Sequence, residues 1–375
     1  MDIPFHKTHI TEKELHSVTE AIKSGWLTMG PKTIEFEKKF SSYLFNNNED
    51  KCLSCNSATA ALHLALKAIG LKENDEVIIP TNTFIATAEV VTYFNAIPIL
   101  CDIEYDTHNI DVSKINALIT DKTKAIIPVH FGGQPCDMNE IMDIAKKHNL
   151  KIIEDAAHAL PASYNNQPIG TIGDITCFSF YATKTLACGE GGMAASNNVE
   201  YIKNMKINRL HGINNDAWDR YTKKGSWVYD IVDNGFKYNM TDINAALGLT
   251  QLKKLEWMCR RREDIAQAYD KAFQESNITC PTIKPDRTTS RHLYVIKVDN
   301  RDELHLKLKE AGINTSVHFI PVHHMTFYKE KFKYNDTHYP VAEEVFSKSL
   351  SLPIYPDLSH EQVAYITKKV LEYTK

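Results

Sequence analysis

No stretch of this chain approaches the roughly 18 consecutive apolar residues that a membrane-crossing helix needs, and its first residues, MDIPFHKTHITEKELHSV, have no apolar segment of signal-peptide type. The expectation is a cytoplasmic protein. A surplus of basic charge is also missing: 43 Lys and Arg stand against 47 Asp and Glu, a net charge of -4, which excludes a general basic surface for nucleic acid. No G-x-G-x-x-G follows an early strand, which argues against a nicotinamide dehydrogenase. The eight cysteines are scattered, as suits reduced thiols rather than a disulfide framework. Cys52 and Cys55 form a C-x-x-C, but no second pair follows at zinc spacing, and on a strand residues three apart point to opposite faces. No metal is expected. Repeats and low-complexity linkers are absent as well.

What is present is an alternation of elements. Thr11 and Glu14 read as a capping box opening a helix over 11–24 whose apolar face uses Leu15, Val18 and Ile22. A second helix follows Ser57 and runs through Ala60, Leu62, Leu64 and Leu66 to Gly70. Strand-like runs recur at Val77–Ile79, Ile97–Leu100, Ala125–Val129, Lys151–Ile153 and Ile175–Phe180, with helical patterns between several of them. This predicts an α/β protein with a mostly parallel sheet covered on both faces. A long connecting helix is expected over Asn244–Glu263, followed by a smaller α/β unit containing HLYVIKV and a helix over Asp302–Ala311. The boundary is placed so that 1–255 form a large domain and 256–375 a small one, in line with about 100–200 residues per domain.

The chemistry concentrates between Lys151 and Asn197. In KIIEDAAHA the apolar strand stops at Glu154 and Asp155, and in an open α/β sheet ligands sit at the carboxyl ends of strands. A carboxylate there could pair with a protonated pyridine nitrogen and keep a cofactor ring electron-withdrawing; alone, Asp155 would as well be a cap for the next turn. In SFYATKTLACGEGG, Lys184 lies in a short polar link and is followed by Gly189, Glu190, Gly191 and Gly192, a run that lets backbone approach a bulky group. An ordinary lysine would be solvated. One held near a cofactor aldehyde with its pKa depressed can form an imine.

At Asp155 with His158, Ser179-Phe180 with Lys184, and the Gly189–Gly192 cluster, the chain resembles the DegT/DnrJ/StrS family of sugar aminotransferases. The resemblance extends over nearly the whole chain through SGWLTMGP, NSATAALHLAL, TKAIIPVHFGG, HGINNDAWDRY, GFKYNMTDINAALGLTQL and HFIPVH. It implies the aspartate aminotransferase type of fold, with an N-terminal segment that packs with the small domain. It also implies pyridoxal 5'-phosphate as cofactor and pyridoxamine 5'-phosphate between half-reactions. L-Glutamate would be the amino donor and a nucleotide-linked (UDP or dTDP) keto-sugar the acceptor, and the enzyme would be a homodimer.

The resemblance assigns roles residue by residue. Lys184 and Asp155 are the catalytic pair. Ser57, Ala58 and Thr59, at a helix start whose free N–H groups suit a dianion, hold the phosphate with Ser179; a plain N-cap by Ser57 would look the same in sequence. Asn239 reaches the phosphate from the neighbouring subunit. Phe84 stacks on the ring and His158 lies near the ring hydroxyl, where a core aromatic and a structural histidine are the alternatives. His318, Arg220 and the Thr28–Pro31 loop are candidates for the sugar nucleotide, equally consistent with surface loop positions. His158, the Trp218 and Arg220 segment and His318 look more like members acting on a 4-keto carbon, including those that make UDP-4-amino-4-deoxy-L-arabinose. Tyr181, in SFYxTK, is also found among 3-keto enzymes. Two other readings compete: a pyridoxamine-dependent sugar dehydratase, which would carry histidine in place of Lys184, and a non-catalytic sensor or scaffold retaining the fold.

Overall fold

A computed structural model describes residues 1–214 and 228–374. Its centre is a seven-stranded sheet made of β1 (Cys52–Cys55), β2 (Glu76–Pro80), β3 (Ile97–Cys101), β4 (Thr123–Ile126), β5 (Lys151–Asp155), β6 (Ile175–Ser179) and β7 (Gly192–Ala195), in the spatial order β1-β7-β6-β5-β4-β2-β3. Only β7 runs antiparallel to its neighbours. The expected mostly parallel sheet is therefore present. The expected Ala125–Val129 strand is shorter: β4 ends at Ile126, and after Pro128 the chain keeps only an isolated bridge from Val129 to Asp155.

Both faces of the sheet are buried, which explains the near-continuous apolar runs. Successive side chains alternate between two cores. Ile78, Ile126, Ile152 and Phe178 join Phe36 and Phe40 on one side, while Val77, Ile79, Ile127, Ile153 and Cys177 join Leu64 and Val90 on the other. Cys52 and Cys55 split between the same two cores, as their spacing on a strand predicts, and all eight cysteines are unpaired. A third core gathers the C-terminal part: Tyr294 and Ile296 of a two-stranded sheet, Leu304, Leu308 and Ile366 of its helices, and Ile3 from the chain start, whose N–H donates to the Gly312 carbonyl at 2.8 Å.

Two helices depart from expectation. Asn244–Glu263 is not one rod: Asp242–Leu252 ends before the Lys253-Lys254 turn, and a second helix, Leu255–Phe273, runs ten residues beyond the expected end. The charged run from Arg260 to Asp264 does not stop it, because Arg262 turns inward and donates to carbonyls, that of Ile354 at 2.7 Å among them. The helix Glu12–Lys23 has the expected capping box, with the Thr11 N–H donating to Glu14 Oε2 at 2.8 Å. Its expected apolar face is turned the other way. Leu15 and Ile22 are 54% and 52% exposed. The helix instead lies on Asp242–Leu252 through Ala21, through Ser17 (Oγ to the Ala246 carbonyl, 2.9 Å), and through buried Glu14, which pairs with Lys254 at 2.7 Å.

Candidate active site

The carboxyl end of β5 carries Asp155, which is 6% exposed, into a cavity of about 450 Å³. Burial pushes its carboxyl pKa up. Against that, Thr87 Oγ1 donates to Oδ2 at 2.8 Å, the Ala157 N–H donates to Oδ1 at 3.1 Å, and Lys184 adds favourable charge. Thr83 holds the Thr87 hydroxyl at 2.8 Å, so the carboxylate is fixed from two segments, the first turn of the helix Ala86–Thr92 and the turn after β5.

Lys184 reaches the same cavity from the link after β6. The link is tied down along its length: the Lys184 N–H donates to the Tyr181 carbonyl at 2.9 Å, the Cys188 N–H to Phe180 at 2.8 Å, and Thr8 Oγ1 to Ala182 at 2.8 Å. Thr185 Oγ1 donates to the Leu160 carbonyl. Burial lowers the Lys184 amine to about 8, and the Asp155 charge offsets only part of that fall. A useful fraction of the amine is thus unprotonated near neutrality, while a carboxylate faces it.

At another wall, the helix Ala58–Ala68 begins. Ser57 Oγ accepts the Ala60 N–H at 3.1 Å, and the first-turn amides belong to Ala58 and Thr59, both of which line the cavity together with Ser57 and Ser179. Gly192 of β7 runs directly beneath this helix start. A Cβ there would come within 2.4 Å of the Ser57 carbonyl and 2.7 Å of the Ala58 nitrogen. The glycine cluster thus lets a strand pass under a helix N-terminus.

Of the residues singled out in the sequence, the cavity gathers Ser57, Ala58, Thr59, Phe84, Asp155, His158, Ser179, Lys184 and His318. Phe84 is 59% exposed and stands 6.0 Å from the Phe319 ring. His158 Nδ1 accepts the Gly132 N–H at 3.3 Å, which leaves Nε2 to carry the proton of a neutral ring, and burial holds its pKa well below the ordinary value. His318 is lowered to about 4, chiefly by burial and then by the Lys184 charge. Thr28 does not line the cavity; it is exposed, and its carbonyl accepts the Asp242 N–H. Asn239 lies outside the cavity too, its amide donating to the Met240 carbonyl at 3.3 Å. Arg220 and Trp218 lie outside the described residues.

Sequence reasoning missed Phe5, His6, His292 and Phe319, which come to the cavity from the two ends of the chain. His6 Nε2 and His292 Nδ1 are buried with no hydrogen-bond partner among the described residues. Phe319 adjoins His318 in HFIPVH, and His292 opens the HLYVIKV segment just before the strand Tyr294–Lys297, but only the fold places them together. A wider concavity of about 650 Å³, bordered by Tyr43, Leu160 and Arg287, holds none of the singled-out residues.

A buried acid, a lysine with a depressed pKa and an anion-suited helix start in one cavity suit a cofactor that is at once an aldehyde, a basic ring and a phosphate. The DegT/DnrJ/EryC1/StrS aminotransferase family matches residues 8–371. The chain belongs to that family. It is 44% identical to the spore coat polysaccharide biosynthesis protein SpsC of Bacillus subtilis, over 100% of this chain and 97% of that one. It is 47% identical to the uncharacterized protein MJ1066 of Methanocaldococcus jannaschii, over 98% and 96%. Among solved structures it is similar to the putative sugar aminotransferase Spr1654 of Streptococcus pneumoniae in its PMP form, with a TM-score of 0.93 and 37% identity, covering 100% of this chain and 99% of that one. A PLP form of the same protein matches with a TM-score of 0.92. The fold is that of fold type I pyridoxal-phosphate enzymes, and the chain is a pyridoxal-phosphate-dependent sugar aminotransferase.

Proposed function

We propose that this aminotransferase moves the amino group of L-glutamate to the 4-keto carbon of a UDP- or dTDP-linked sugar. The product would be a 4-amino-4-deoxy or 4-amino-4,6-dideoxy sugar nucleotide for a surface glycan. The observation that carries the reading is the meeting of Lys184 and Asp155 in one cavity with the Ser57–Thr59 helix start. The spore coat polysaccharide role in the name of the Bacillus relative supports a glycan destination. Eight unpaired cysteines fit a reducing compartment, and we assign the enzyme to the cytoplasm. Among the described residues no helix is long and apolar enough to cross a membrane.

In this proposal the amides of Ala58 and Thr59, with the Ser57 and Ser179 hydroxyls, would hold the cofactor phosphate, assisted by Asn239 from a second subunit. Asp155 would hold the ring nitrogen protonated, Phe84 would cover one ring face, and His158 would donate from Nε2 to the ring oxygen. When bound, pyridoxal phosphate supplies an aldehyde for the amine and a ring that takes up the electrons of the breaking Cα–H bond. Lys184 Nζ, unprotonated by virtue of its depressed pKa, takes the proton from the donor's α-carbon and later returns a proton to the sugar carbon that accepts the amine. The neutral imidazoles of His158, His292 and His318 keep further positive charge away from that amine. His318, Thr28 and Arg220 are proposed sugar-nucleotide contacts. The domain boundary near residue 255 and the homodimer belong to the same proposal.

One observation favours a second reading. Tyr181 lines the cavity, at a position that in SFYxTK sequences also occurs with 3-keto substrates. The deciding experiment supplies UDP- and dTDP-linked 4-keto and 3-keto sugars with L-glutamate and measures 2-oxoglutarate and amino-sugar nucleotide by mass spectrometry. Turnover of 4-keto sugars is expected. Turnover confined to 3-keto sugars would reverse the position, and no amine transfer to any sugar nucleotide would sink the proposal.

A further inference from the structure

Away from the cavity, a second group of side chains converges where a short 3₁₀ turn, Val322–His324, meets the helix Pro340–Lys348. Nε2 of His323 and Nε2 of His324 both lie 2.5 Å from one oxygen of Glu343. Ligand atoms of His323, His324 and Asp336 lie within 4.8 Å of one another. We propose that His323, His324 and Asp336 form a structural site for a divalent transition metal of the zinc class, with Glu343 closing the shell after a shift of its carboxylate.

The chemistry selects the class. Two imidazoles and two carboxylates are the nitrogen and oxygen donors of a four-ligand zinc site, whereas magnesium or calcium would want an all-oxygen shell. The surroundings resemble those of ligating histidines. His323 is fully buried, and its Nδ1 lies 2.6 Å from Thr81 Oγ1; with that hydroxyl accepting, the ring proton sits on Nδ1 and Nε2 offers its lone pair outward. The ring stacks on Tyr339 at 4.6 Å, and His324 packs edge-on against Phe346 at 5.6 Å. With both rings neutral and Nε2 unprotonated, a cation between these nitrogens and the carboxylate would replace the repulsion of their lone pairs. Glu343 and Asp336 are both partly exposed, which leaves an entry path. Asp336 is paired with Lys329 at 2.8 Å, so metal entry exchanges that ammonium for the ion, and the Glu343 carboxylate must draw back by about 1 Å to leave room for it at tetrahedral ligand spacing.

The ion would act as a brace. The same turn is held to β2's end by the Val322 N–H donating to the Thr81 carbonyl at 2.9 Å, and the residues just before it, His318 and Phe319, line the cavity. None of the four proposed ligands lines it, so the site differs from the one that holds the cofactor.

The test uses the full chain without an affinity tag, treated with chelator and then freed of it. Equilibrium dialysis against zinc chloride with metal analysis should find about one zinc per chain, and the thermal midpoint should rise at a zinc concentration about a hundredfold above Kd. His324→Ala and Glu343→Gln should each weaken binding about tenfold or more and remove the thermal shift, with the visible spectrum of bound cofactor unchanged. Thr81→Val should weaken it roughly ten- to a hundredfold. Zinc content well below one per chain in the wild type, or equal binding in His324→Ala and Glu343→Gln, would reduce the cluster to a hydrogen-bonded clip and overturn the proposal.

Discussion

At the scale of single residues, the site turns on two pKa shifts that oppose each other. Lys184 must be unprotonated to capture an aldehyde, and its amine sits at about 8 rather than the ordinary 10.5. The rate at which apoenzyme captures pyridoxal phosphate should therefore climb about tenfold per pH unit below 8 and level off above it. Because the Asp155 charge raises the lysine, Asp155→Asn should move that inflection to lower pH. Stopped-flow absorbance over a pH series reads both, and an inflection near 10.5 in the wild type would contradict the assignment. Lys184→Ala should cut amine transfer by about 10²–10⁴-fold, the usual range for a lost proton-transfer group.

Asp155 supplies the second case. Thr87→Val removes a hydrogen bond to a buried carboxylate, a loss of about 1.5–3 kcal/mol when the group is charged. Burial already raises this pKa in the folded state, so the folded protein holds the proton to higher pH than the unfolded chain does, and apoenzyme stability falls as pH rises through that window. The variant widens the window upward. Urea denaturation of wild-type and Thr87→Val apoenzyme should therefore differ most at neutral pH and converge on acidification; a gap that grows with acid would refute the sign.

Among elements, the contact that matters is β7 under the start of the Ala58–Ala68 helix. Gly192→Ala puts a methyl 2.4 Å from the Ser57 carbonyl group, and the obstacle is backbone, so no rotamer relieves it. Overpacking of this kind costs about 1–3 kcal/mol. If it tilts the helix start, pyridoxal phosphate should bind about tenfold more weakly. Fluorescence titration checks this, and unchanged affinity with lowered stability would separate the helix start from the cofactor.

This is also the scale at which the sequence was most and least readable. Strand runs such as Lys151–Ile153 announce themselves because both faces are buried, and the capping box at Thr11 and Glu14 is a local device. The break at Lys253-Lys254 left no mark, since no glycine or proline stands at it: Gly248 lies inside the first helix, and Leu249 and Leu255 on either side of the turn pack in the same core. The outward turn of Leu15 and Ile22 was invisible for a related reason: periodicity identifies a stripe and says nothing of what covers it. Asp155 and Lys184 could be found because their neighbours in sequence carry the pattern. His6, His292 and Phe319 could not, because they become neighbours only when the chain ends fold back over the sheet.

For the whole molecule, the proposed homodimer would account together for the exposed apolar residues and for the place of Asn239. Leu15, Ile22 and Leu27 are about half exposed, as are Ile231 and Val232, and Asn239 lies outside the cavity of its own chain. A second copy would cover the first set and could bring Asn239 to the phosphate. The protein should therefore sediment as a dimer, and Leu15→Lys with Ile22→Lys should shift it toward monomer with loss of cofactor affinity. Subunit mixing distinguishes a shared site from mere contact. Pairing a Lys184→Ala chain with an Asn239→Ala chain leaves one site per heterodimer with Lys184 from one chain and Asn239 from the other, both intact. If the site is shared, heterodimers should regain roughly half the wild-type tight cofactor binding per dimer. If Asn239 served its own chain, the heterodimer would hold no intact site and nothing would be regained, and the Leu15 and Ile22 stripe would have to be explained by contact alone.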